Sequence, residues 1–525
     1  MQKSWTFPLA LGLWAVVVEA SVAFLFFLHA PPGTQWLGST IVNPQDTAIY
    51  LSYIEQGARG SLLFDNLFAI EPQQSQLLLF WLIPGLIART GIPLILTHEG
   101  LRWIMTLFLA FAVYTIARPL TTTERDRRLA CLLIFAGVGQ GWLFSAVRSV
   151  LPITSTLEAV APDMEFEFSV VPALLSGGAH IILSVALLAF GMHSAWQAMT
   201  RRTSRDAWIA FATLGFLLAF HPYFVPLVAI FLAGAALITQ RQTSWHERLR
   251  VLAPLALAFV PCVLIFAPFV FDPLYKSTRV TANILPLRQP MTWIFTLFPF
   301  VVALAWRIKK RVGIKKEEYW LLLWIASAVL CLFLPFPWTK RFTQAGGIAL
   351  VLLTLPAWLA LRDRIQRYSA FHVIGLLLLT IAALSPLAFL QEEYQATLLQ
   401  EDTPYFYASD DSILAWDQLR KDAPHCTVLA DDPWIGVWTP AMTGCTTLFG
   451  HSIETPSYQT KRALAKQFFD TKNQDDSLRL LAQTSSTHIL TTRKMTSEQT
   501  ASLLRDTSWT EQRFSDDTRL FIRRK

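Results

Sequence analysis

The stretch "PLALGLWAVVVEASVAFLFFL" (Pro8–Leu28) decides the class of the fold, because Glu19 is its only charged residue. At about 1.5 Å of rise per residue a helix of this length covers a hydrocarbon layer of about 30 Å. The run is too long for the apolar part of a secretory signal, and more runs follow it. It therefore reads as a retained signal anchor. A carboxyl at the depth of Glu19 is costly in lipid and must face other helices, which points to an interhelical hydrogen bond rather than catalysis.

The rest of the chain repeats the pattern. Of its 525 residues 53% are hydrophobic and 15% charged, against about 25% charged in soluble domains. Apolar segments recur at about 100–118, 129–147, 179–197, 207–220, 223–239, 251–271, 290–306, 319–336, 345–361 and 371–390. With the first, they predict a mainly α, polytopic transmembrane helical bundle of about eleven spans. Basic clusters fall in every second loop: "ARPLTTTERDRR", "TRRTSRD", "QRQTSWHERLR", "RIKKRVGIKK" and "LRDRIQR". The positive-inside rule makes these loops cytoplasmic, and the net charge of +7 then reflects topology rather than a nucleic-acid surface.

The segment "QLLLFWLIPGLIARTGIPLIL" (76–96) is broken by Pro84, Gly85, Arg89, Gly91 and Pro93. A crossing there would flip every later basic loop outward, so it is expected to be interfacial or re-entrant. The N-terminus is then cytoplasmic, and residues 30–75, 148–178, His221–Pro222, 272–288 and 337–344 share the outer face of a cell inner or plasma membrane. After about Gln391 the composition becomes that of a soluble protein. Residues 1–390 are expected to form the membrane domain, and residues 391–525 a small C-terminal α/β extracytoplasmic domain. Cys131, Cys262 and Cys331 lie in spans as small core residues. Cys426 and Cys445 open two predicted strands outside, where they are as well placed to be bridged as to be free.

The polar residues of the outer face are the candidates for chemistry. Asp46 stands at the head of "NPQDTAIYLSYIEQGARG" (43–60), in a long first loop almost free of Lys and Arg. Ala48, Leu51, Ile54 and Ala58 follow helical spacing, so this helix is expected to lie along the interface. The plain account of Asp46 is a carboxylate at the positive end of a helix dipole; the functional one is a general base facing a hydroxyl acceptor. The second loop, "APDMEFEFSVVPALLSGGAH" (161–180), offers Asp163, Glu165, Glu167 and His180, either a solvated loop or ligands for substrate hydroxyls or a divalent cation, Mg²⁺ or Mn²⁺. No spacing here makes a metal motif. His221 and Tyr223 sit in "HPYF", where proline breaks a helix between two spans and an ionisable ring stands at the mouth of the bundle. Apart from the single residues Arg59 and Arg148, the basic residues of the outer loops lie in "FDPLYKSTRVTANILPLRQP" (Lys276, Arg279, Arg288) and "PFPWTKRF" (Lys340, Arg341). Either lipid headgroups or a phosphate-bearing ligand at the outer surface explains them. There is no P-loop, HExxH or paired CxxC.

Asp46 in the first outer loop, acids in the second, "HPY" at a span end, "LPFPWTKRF" near the last spans and a tail containing "GHSIETPSYQTKRALAKQFFD" together resemble the GT-C superfamily of membrane glycosyltransferases. The resemblance implies transfer of a sugar from a polyprenyl-phosphate donor to a glycan, lipid or protein acceptor on the non-cytoplasmic face. It also implies that Asp46 is the base and that the configuration of the sugar inverts. Two features depart from the pattern. "DMEFEF" offers three second-loop acids, and Gln45 stands where an acid often precedes the first-loop Asp. The competing classes are a flippase or transporter of lipid-linked saccharides, which calls for repeat symmetry and polar groups deep in several spans, and a non-catalytic cell-envelope assembly protein.

Overall fold

The computed structural model describes residues 5–39, 44–137, 170, 174, 178–240, 244–267, 290–335, 338–367, 406–471, 474–493, 495, 497–506 and 508–524. It is mainly helical and divides into two compact units. The first comprises Met1–Val22, Arg102–Ala267 and Thr281–Gln395; the second comprises Ala23–Leu101, Pro268–Val280 and Ala396–Lys525.

Among the described residues six helices are long and apolar enough to cross a membrane: Thr6–Leu28, Leu94–Leu120, Ala179–Arg201, Pro222–Thr239, Trp245–Phe266 and Arg341–Gln366. Ser204–Phe220 and Tyr319–Leu332 are shorter, while Pro290–Lys309 has 20 residues. The 129–147 segment is described only as far as Gly137, and 371–390 lies outside the described residues. Leu79–Arg89, within the broken 76–96 segment, is an 11-residue helix. At about 16 Å it reaches roughly half the hydrocarbon thickness.

In the first unit, Glu19 does what its depth requires. Its carboxylate meets Arg102 Nε at 2.9 Å and accepts from Thr106 Oγ1 at 2.9 Å, and Arg102 also donates to the Leu174 carbonyl at 2.7 Å. Both charges are buried, and removing either partner would strand the other. A second buried pair joins Arg307 to Glu318, with three backbone carbonyls (Val312, Gly313 and Leu353) taking further Arg307 donors.

The second unit holds a five-stranded sheet formed by β3 (Thr427–Ala430), β4 (Thr446–Thr447), β5 (His488–Thr491), β6 (Trp509–Arg513) and β7 (Arg519–Arg523), ordered β4-β3-β5-β7-β6. β3 runs parallel to β4 and β5, whereas β7 is antiparallel to β5 and β6. Strand, helix, strand over 425–450 matches the sequence pattern. Cys426 and Cys445, at the heads of β3 and β4, are joined in a disulfide. Just after β3, the Asp431 side chain is buried and accepts from Thr492 N (2.8 Å), Arg493 N (3.0 Å) and Thr491 Oγ1 (2.9 Å). Burial pushes its carboxyl above the usual carboxylate range, with these hydrogen bonds opposing. A two-stranded pair, β1 (Thr34–Trp36) with β2 (Tyr407–Ser409), was not visible in the sequence pattern; each strand has only three residues.

The same unit contains the helix that carries Asp46, Pro44–Ala58. In its second half the polar residues do not form a solvated face. Leu51 to Gly57 are all buried, including Ser52, Glu55 and Gln56. Their polar groups are satisfied internally: Glu55 pairs with Arg59 at 3.0 Å, and Gln56 exchanges two hydrogen bonds with the Asp65 backbone. One side packs on Leu79–Arg89, where Gly57 and Gly85 meet backbone to backbone. A Cβ on Gly57 would lie 2.8 Å from the Gly85 Cα. Tyr50 stacks on Trp81 at 5.1 Å beside that contact. The other side packs on Pro433–Thr443, the helix between β3 and β4, and Arg59 donates to the Thr443 carbonyl at 2.7 Å.

Candidate active site

Asp46 occupies the first turn of its helix, where a negative charge is favourable. Its side chain remains 31% exposed, while the group it faces, His451, is 3% exposed. The distance from His451 Nε2 to Asp46 Oδ1 is 3.2 Å. His451 belongs to the loop that follows β4. That loop is seated by Gly450, whose backbone lies against Gly436 of the Pro433–Thr443 helix so closely that a Cβ on Gly450 would come within 2.6 Å of the Gly436 carbonyl oxygen. The ring is held edge-on to Phe68 at 5.8 Å.

The hydrogen bonds at the far side of the ring fix its tautomer. Nδ1 accepts from the backbone N–H groups of Ile453 (3.1 Å) and Glu454 (3.2 Å). A nitrogen that accepts two N–H donors carries no proton, so the proton resides on Nε2 and is donated to Asp46. The next residues form a second clamp. Gln45 Oε1 accepts from both the backbone N–H (3.2 Å) and the hydroxyl (3.0 Å) of Ser452. Consecutive residues of one loop thus hold consecutive residues of the helix start.

The first unit gathers four other candidates. His180, at the start of Ala179–Arg201, stacks on His221 with ring centroids 5.1 Å apart and planes within 10° of parallel. His221 is buried where Ser204–Phe220 ends, and Pro222–Phe224 forms one 3₁₀ turn. Tyr223 lies 5.9 Å from His221 and 5.9 Å from Trp338, and the Arg341 guanidinium sits over the Tyr223 ring at 5.9 Å. Lys340 and Arg341 belong to the 3₁₀ turn Thr339–Thr343, with the Lys340 side chain outside the description. A cation, two imidazoles and a phenol make a suitable lining for an oxyanion.

Asp163, Glu165, Glu167 and Arg279 lie outside the described residues, as do Lys276 and Arg288. Among the described residues no cluster of three or more His, Cys, Asp or Glu is set to hold a metal ion. The second-loop acids expected to serve Mg²⁺ or Mn²⁺ lie outside the described residues. No motif or spacing marked His451 or Ser452, which stand some 400 residues from Asp46 in the chain.

No family model matches the sequence, and no curated protein does either. Among solved structures, the apo crystal structure of ArnT from Cupriavidus metallidurans aligns over 97% of both chains with a TM-score of 0.50 and 12% identity. The chain has the fold of ArnT. A second ArnT structure, bound to undecaprenyl phosphate, aligns over 97% of both chains with a TM-score of 0.45 and 12% identity. The ArnT likeness bears out the fold expected from the GT-C resemblance: a mainly helical, polytopic membrane protein with a small C-terminal sheet region.

Proposed function

We propose that the chain is an integral membrane glycosyltransferase. It moves a hexose or pentose from a polyprenyl-phosphate carrier to a hydroxyl of a glycan, lipid or protein acceptor on the outer face. The observation that carries this reading is Asp46: a partly exposed carboxylate at a helix start, addressed by a buried N–H donor, in a chain with the ArnT fold. In the reaction the acceptor oxygen bonds to the anomeric carbon and its proton passes to Asp46. The bond from that carbon to the phosphate oxygen breaks, and its electron pair leaves with the lipid phosphate. One displacement inverts the configuration. Arg341, with His221, His180, Tyr223 and Lys340, is assigned to the phosphate, where negative charge accumulates as the bond breaks. Asp163, Glu165, Glu167 and Arg279 are assigned to substrate binding.

In this reading residues 1–390 are the membrane catalytic domain, with a cytoplasmic N-terminus, and residues 391–525 lie on the extracytoplasmic side. Glu19, the deep carboxylate on which the flippase alternative would draw, is paired with Arg102 and Thr106. The test is to incubate the purified protein with a panel of undecaprenyl-phosphate hexoses and pentoses. The expected result is release of undecaprenyl phosphate and a product of inverted anomeric configuration by NMR. A product of retained configuration, or transbilayer movement of the donor without bond cleavage, would overturn the reading.

A further inference from the structure

We infer that His451 is a positioning residue for Asp46, so that the C-terminal domain supplies part of the catalytic apparatus rather than only recognition or stability. This deepens the proposed function and rests on it. A base works only if its carboxylate is held in the orientation the acceptor proton requires, and misplacement of about 1 Å costs on the order of 10²-fold in rate. Asp46 stands in the first turn of its helix, where its side chain is one of the less buried groups. Its Oδ1 faces an imidazole with a settled tautomer. The Ile453 and Glu454 amides occupy Nδ1, and Nε2–H points at Oδ1.

Three features separate this from an incidental surface contact. The ring is 3% exposed and packed on Phe68, so it cannot swing away without leaving a cavity. The Gly436–Gly450 contact clamps the loop to the helix that packs on the Asp46 helix. The adjoining pair, Ser452 with Gln45, repeats the attachment one residue along in each segment. In this chain Gln45 therefore has a structural task at the position where an acid would otherwise precede Asp46. The other carboxylate of the loop, Glu454, is buried, and its backbone carbonyl accepts from Asn66 Nδ2 at 2.9 Å.

The experiment uses the full-length protein and the undecaprenyl-phosphate sugar that the wild type turns over best, with kcat and KM measured for D46N, H451A and H451Q. H451A is expected to lower kcat by about 10²-fold, with the KM of the donor within twofold of wild type. H451Q, whose amide also donates, should recover most of the loss. A wild-type kcat in H451A while D46N is inactive would overturn the positioning role and leave the proposed function standing. Equal loss in H451A and H451Q, at unchanged melting temperature, would overturn it too, because proton donation would not be what the ring provides. Should H451A fail to fold, H451Q against D46N decides. Full activity in D46N, or no turnover of any donor by the wild type, would instead overturn the function on which the inference rests.

Discussion

Asp46, His451 and Arg341 carry the account at the residue scale, and each differs in how far the sequence exposed it. Asp46 could be singled out because the alternation of basic loops predicts it outside and because Lys and Arg are rare in its loop. Glu19 was legible for the opposite reason: its depth in an apolar run left pairing as its only affordable state, and Arg102 and Thr106 provide the partners. His451 was not legible. "GHS" has no periodicity and no charged neighbour that marks it, and its partner lies 405 positions away. Only the folded loop shows that Nδ1 is occupied by amides. Arg341 offers a direct test. Replacing it with Ala should raise the KM for the donor by roughly 10- to 100-fold, the equivalent of about 1.5–3 kcal/mol for a charge-assisted hydrogen bond. Lys in its place should recover little of that, since a point charge lacks the planar fork. Donor kinetics unchanged in R341A would remove Arg341 from the phosphate site.

At the scale of elements, the Pro44–Ala58 helix is the piece whose environment differs most from its sequence pattern. Spacing of Ala48, Leu51 and Ile54 signals one apolar face, yet Ser52, Glu55 and Gln56 are buried as well. They can be, because Arg59 and the Asp65 backbone answer them, and neither contact is visible as a pattern. The strands of the C-terminal sheet were easier: "THILTT" and "TRLFIRR" are apolar enough to read as β5 and β7. β6, "WTEQR", is too polar to stand out, and β1 and β2 are too short. The contact that sets the Asp46 helix against Leu79–Arg89 is Gly57 on Gly85, closer than any side chain allows. Gly85→Leu should therefore separate the two helices, costing about 1–3 kcal/mol of stability. It should also lower transfer, read as a reduced melting temperature together with a reduced kcat. A G85L protein with unchanged melting temperature and turnover would show that the two helices need no such approach.

For the whole molecule, hydropathy alone announced a polytopic membrane protein, and the ArnT fold over nearly the full chain agrees at the level of architecture. Sidedness rests on the alternation of basic loops and makes its own prediction. An epitope tag placed after Lys525 should be reached by a protease added to the outside of the membrane and protected from one confined to the cytoplasm. Protection from the outside, with cleavage only after permeabilisation, would invert the topology and place Asp46 away from an outer-face acceptor. The substrate is a different matter: sugar and acceptor depend on pocket shape, which scattered loop residues set without leaving a motif.

The central claim is that Asp46 takes the acceptor proton, and Asp46→Asn addresses it most directly because the amide keeps the shape while removing the basicity. Turnover of an undecaprenyl-phosphate sugar by purified D46N should fall by about 10²- to 10⁴-fold, the range for loss of a general base, with a melting temperature like that of the wild type. Wild-type turnover in D46N would contradict the account.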